Sequence, residues 1–165
     1  MKRLLILCCI GCLLLCGCQL ESREDREPVL FYYRQAEFVL WEDNGSIAAE
    51  ERDGTGHITD MNYLLRLYLT GPLSEDLVCP FPSDVQLSSI RTGQGKVTVT
   101  LTGSPEHLPE AQKTLACACL TLTCLDITDA NEVTVLYRER SLTMTRDSLT
   151  LIDESTVQLT TEETK

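Results

Sequence analysis

Residues 81–102, FPSDVQLSSIRTGQGKVTVTLT, hold the pattern from which the fold is read. Val97, Val99 and Leu101 alternate with Thr98, Thr100 and Thr102. A period of two puts one set on each face of a strand, one dry and one wet. Thr92-Gly93-Gln94-Gly95 separates this strand from another over residues 85–91, so the two form a hairpin. Ile90 is out of phase with Val85 and Leu87, which implies a bulge or twist near the turn.

On the N-terminal side the period changes. Met61, Leu64, Leu65 and Tyr68 recur at i, i+3, i+4 and i+7, the apolar face of a helix over residues 60–70. Thr59 or Asp60 can cap its start, and Gly71-Pro72 stops it, since glycine accepts the left-handed C′ conformation and proline cannot continue the helix. Before it come Val29-Leu30-Phe31-Tyr32-Tyr33, a continuous run that reads as a strand buried on both faces, and a weaker strand between Gly45 and Arg52. On the C-terminal side a second helix starts at Pro109 and runs to about Leu125. Its core stripe is Ala111, Leu115, Ala118, Leu122 and Leu125. A strand with Val133, Val135 and Tyr137 follows, and Ser141 to Leu151 can add one more. The expectation is an α+β fold: a single-layer mixed or antiparallel sheet, order β-(β)-α-β-β-α-β-(β), packed against two helices.

The chain opens on Lys2 and Arg3 and an apolar stretch from Leu4 to Leu15. That stretch is too short for a bilayer, which needs roughly 20 apolar residues. It ends in Leu15-Cys16-Gly17-Cys18, which resembles a bacterial lipobox: an aliphatic residue at −3, a small one at −1 and a cysteine that takes the lipid. Residues 1–17 are thus expected to be a signal peptide and Cys18 the lipidation site. The domain would then sit outside the cell membrane, tethered through its lipid anchor. Residues 18–28 read as a charged tether, 29–153 as the domain and 154–165 as a polar, frayed tail.

Removal of residues 1–17 takes away two bases and no acids, so the excess of acidic side chains rises from 11 to 13. Nucleic acid is therefore not an expected partner. Five of the nine cysteines lie at or before Cys18. Cys117, Cys119 and Cys124 fall on the second helix and Cys79 in a loop. Cys117 and Cys124, on one helix face, are about 10 Å apart along the axis, too far for a disulfide. A bond from Cys79 to a helix cysteine is compatible with export, while free buried thiols suit an apolar helix.

Catalytic chemistry finds little to stand on. His57 and His107 are isolated, and no nucleophile elbow, zinc-protease or phosphate-loop string occurs. Glu50, Glu51 and Asp53 lack the ligand spacing of a calcium loop and read as a charged strand edge, where Glu50→Ala should matter little. No enzyme activity, metal or cofactor is expected.

The opening strand VLFYY (29–33), the helix MNYLLRLYLTGP (61–72), the hairpin segment, the long helix and the strand NEVTVLYR (131–138) together resemble the GerMN domain of sporulation and spore-germination proteins. The resemblance covers residues 29–140. It implies a non-catalytic interaction or assembly domain, similar in fold to ring-building domains, whose partner is an envelope or sporulation protein or a second copy of itself. Two departures stand out: there is room for one such domain where the family often has two, and the second helix is rich in cysteine. From the residues, two surfaces are candidates for docking: the sheet face of Thr98, Thr100 and Thr102, and a helix patch of Cys117, Leu120 and Cys124. The threonine face is otherwise simply solvated. The alternative reading, from a different class, is a lipoprotein that captures a small solute or cell-wall fragment.

Overall fold

The computed structural model describes residues 26–37, 46–103, 108–138, 140–151 and 156–159. The expected signal peptide, Cys18 and His107 lie outside them. Strands β1 (Pro28–Gln35) and β2 (Ile47–Asp53) come first, followed by helix α1 (Met61–Leu69). Asp60 caps α1 by accepting the Tyr63 N–H at 3.0 Å, and Gly71 closes it at φ +96°. A two-residue strand β3 (Leu77–Val78) leads to the hairpin of β4 (Gln86–Gly93) and β5 (Lys96–Thr102). Gln94 and Gly95 both have positive φ there, as the tight turns that suit strand twist require. The bulge falls at Ser88, between the Leu87 and Ser89 pairings.

Helix α2 (Glu110–Asp126) crosses over to β6 (Glu132–Tyr137), which pairs parallel to β5. Then follow β7 (Arg140–Thr145), a turn of 3₁₀ helix (Arg146–Ser148), β8 (Leu149–Leu151) and β9 (Thr156–Leu159). The α+β class and the order of the elements agree with the sequence reading.

The strands form two sheets where one was expected. The first has the order β3-β1-β2-β9-β8 and the second β4-β5-β6-β7. The opening strand therefore never meets the hairpin. Strand β9 lies inside the segment read as a frayed tail: Ile47 pairs with Val157 and Leu149 with Leu159, so Thr156–Leu159 joins the first sheet by backbone pairing between β2 and β8.

Helix α2 explains the division. It packs on β1 of the first sheet and on β6 and β7 of the second. Every residue from Leu115 to Leu125 is buried, including Thr121 and Thr123. A helix apolar or small on all sides belongs inside, and LACACLTLTCL (115–125) has the composition to sit between two sheets. Beside it the aromatic core is tightly arranged. Tyr33 and Tyr68 stack at 4.9 Å between ring centroids, Phe31 meets Tyr68 edge-on at 5.8 Å, and the Tyr33 hydroxyl donates to the Tyr68 carbonyl at 3.0 Å.

Candidate functional site: the outer face of the four-stranded sheet

Strand β5 turns Val97, Val99 and Leu101 into the core and leaves Thr98, Thr100 and Thr102 on the other side. The register extends that face across the sheet. Thr98 lies between Arg91 of β4 and Thr134 of β6, and Thr134 is opposite Thr143 of β7. Thr100 lies between Ser89 and Leu136, with Ser141 beyond. The Thr134 and Thr143 hydroxyls are 2.9 Å apart, and the Thr102 hydroxyl donates to the Gln86 carbonyl at 3.4 Å. Lys96 pairs with Glu132 at 2.8 Å at one end.

The middle of this face is a band of hydroxyl side chains flanked by Arg91 and Leu136, on a chain with an excess of acidic residues. Threonine is stiff at χ1, so docking here freezes less side-chain motion than the ~0.5–1.5 kcal/mol lost per long flexible side chain. The alternation of β5 points to its three threonines, while Thr134 and Thr143 join the face only through the register of β6 and β7. Their signal was present, since Thr134 alternates with Val133 and Val135.

The helix patch does not exist as an exposed surface. Cys117 is 2% exposed, Leu120 1% and Cys124 0%. Leu120 points away from the main stripe, but the helix is buried on that side as well, so protein and not solvent covers it. Burial raises the thiols of Cys117, Cys119 and Cys124, Cys117 to about 12 and the other two further. Cys79 is half-buried, and burial raises it too. The four are free thiols.

The acidic cluster also divides. Glu50 is not a solvated edge residue: its carboxylate accepts the N–H groups of Leu73 at 2.9 Å and Ser74 at 2.8 Å and pairs with Arg52 at 3.1 Å. Both charged side chains are close to 10% exposed, and the Arg52 guanidinium lies 5.8 Å above the Phe31 ring. Asp53 is exposed and takes hydrogen bonds from the Thr55 N–H and hydroxyl, which hold its carboxyl below the usual range. It fastens a turn. His57 stacks on Tyr63 at 3.8 Å on the surface. Among the described residues no group of three His, Cys, Asp or Glu is placed to hold a metal ion, and no helix is long and apolar enough to cross a membrane.

Two sheets, with a βαβ crossover helix packed against both, define the fold to be compared. The tandem GerMN domains of the sporulation protein GerM from Bacillus subtilis superpose with a TM-score of 0.51 at 16% identity, over 74% of this chain and 43% of that one. The fold is GerMN-like. This GerMN-like chain thus spans less than half the length of the tandem structure. A crystal structure of a candidate lipoprotein from Clostridium perfringens is similar at a TM-score of 0.48 and 15% identity, over 74% of this chain and 89% of that one. No protein-family profile and no curated protein matches the GerMN-like chain.

Proposed function

We propose that the chain is an extracytoplasmic lipoprotein, tethered to the cell membrane through Cys18, whose GerMN-like domain is a non-catalytic docking module for an envelope protein of sporulation or germination. The observation that supports it is the outer face of the four-stranded sheet. It is broad, lined by Ser89, Thr98, Thr100, Thr134 and Thr143 with Arg91 and Leu136 among them, and built from strands pinned by the core behind them. A module without a reaction acts through a surface, and rigid short side chains make a surface that docks at low entropic cost.

The test has two arms. Radiolabelled lipid precursor should be incorporated into the wild-type chain and not into Cys18→Ser, which should leave the membrane fraction. Crosslinking in cells through a photoreactive residue at Thr100 should trap an envelope protein, while the same residue at exposed Glu51 should not. Unchanged labelling in Cys18→Ser would overturn the tether, and equal crosslinking at both positions would overturn the docking face.

A further inference from the structure

A cleft of about 500 Å³ lies at the end of the molecule where the α1 start, the β4–β5 turn and the loop from α2 to β6 converge. Its size falls within the roughly 300–1,000 Å³ of small-ligand sites. The Asn131 N–H donates to the Gly95 carbonyl at 2.9 Å and ties two of its walls together. Met61, Val97 and Ile127 supply an apolar lining, and Ile58, at 39% exposed, stands at the rim.

The backbone ends nearby are already satisfied. Asp60 caps α1, and at the end of α2 the Thr128 hydroxyl donates to the Cys124 carbonyl at 2.6 Å. The charge at the cleft therefore comes from two side chains of opposite sign, Lys96 and Asp129. Lys96 is 59% exposed and pairs with Glu132 at 2.8 Å, so a ligand carboxylate shares its ammonium with Glu132.

We propose that this cleft binds a small zwitterion with one compact apolar side chain, either a free amino acid or a short peptide. The ligand carboxylate meets Lys96, its ammonium meets Asp129, and its side chain covers Met61 and Ile127. Charge-assisted hydrogen bonds at both ends fix its orientation, and the apolar lining selects the side chain. The inference goes beyond the docking role and does not rest on it; the cleft meets that face only at its edge, at Lys96.

The test is calorimetric titration of the purified full chain in detergent with leucine, leucyl-leucine, N-acetyl-leucine, leucinamide and N-acetyl-leucinamide. Saturable binding near ~1 mM or tighter is expected for leucine or the dipeptide, with roughly tenfold weakening when either end is capped. Tighter binding of the dipeptide identifies a peptide as the ligand, and the reverse order a free amino acid. Lys96→Gln and Asp129→Asn, both at exposed positions, should each weaken binding about tenfold with an unchanged circular dichroism spectrum. Met61→Trp, which fills the cleft, should abolish it. Absence of saturable heat from leucine and dipeptide alike would overturn the proposal, as would equal binding of N-acetyl-leucinamide or indifference to Lys96→Gln.

Discussion

The Tyr32 N–H donates to the Thr123 hydroxyl at 3.0 Å inside the molecule, joining the first strand to the long helix. Strand β3 reaches only Arg34 and Gln35 on that side of β1, so a helix side chain takes over where the ladder stops. An unmet buried N–H costs about 1–3 kcal/mol. Thr123→Val should lower stability by that amount in urea unfolding. The neighbouring Thr121 hydroxyl is buried without a hydrogen-bond partner among the described residues, so Thr121→Val should be neutral or stabilising. Equal losses in both would remove the structural role given to Thr123.

Glu50 and Glu51 are adjacent and should behave as opposites. Removing one partner of a buried ion pair costs about 3–5 kcal/mol, and Glu50 also holds the Leu73 and Ser74 backbone. Glu50→Ala should be strongly destabilised, whereas Glu51→Ala, at an exposed position, should change the melting temperature little. The expectation from sequence that Glu50→Ala is silent is thereby reversed.

Leu120→Glu and Leu115→Asp should both unfold the domain, because each puts a carboxylate in the core at a cost of several kcal/mol. Thr100→Glu should keep the native melting transition and lose partner crosslinking through a photoreactive residue placed at Thr98 on the same face. Loss of the fold in Thr100→Glu would show that its face is internal.

Burial raises the Cys117 thiol from the ordinary 9.0 to about 12. The protonated thiol is the form the folded state favours, so its contribution is complete below about pH 9 and is lost as pH rises through about 12. Cys119 and Cys124 act in the same direction. The urea midpoint should therefore fall steadily above pH 9. At pH 8, iodoacetamide should modify Cys79 in preference to Cys117, Cys119 and Cys124 until urea is added, which mass spectrometry of the labelled peptides would show.

The features legible in the sequence are those determined by near neighbours. Asp60, Gly71 and the Gln94-Gly95 turn sit where local chemistry put them, and β5 alternates as written. The division into two sheets was not legible, because nothing local to VLFYY says which strand it pairs with. In α2 the clue was misread. Spacings of 4, 3, 4 and 3 select one stripe, and Thr121 and Thr123 look like a polar back. One of these threonines instead serves the backbone of a strand far away in the chain. Glu50 was misjudged for a related reason: only the distant loop at Leu73 and Ser74 gives its carboxylate something to hold.

The pairing of Ile47 with Val157 also sets a schedule for assembly. The hairpin, α2 and β6 lie close together in sequence and can form by closing short loops. The first sheet must wait longer, because β9 follows β6 and β7 in sequence and only then covers the edge of β2. A polypeptide emerging in chain order would hold a finished half and an unfinished one until β9 emerges. During that interval the open edge of β2 is the place where another chain could intrude.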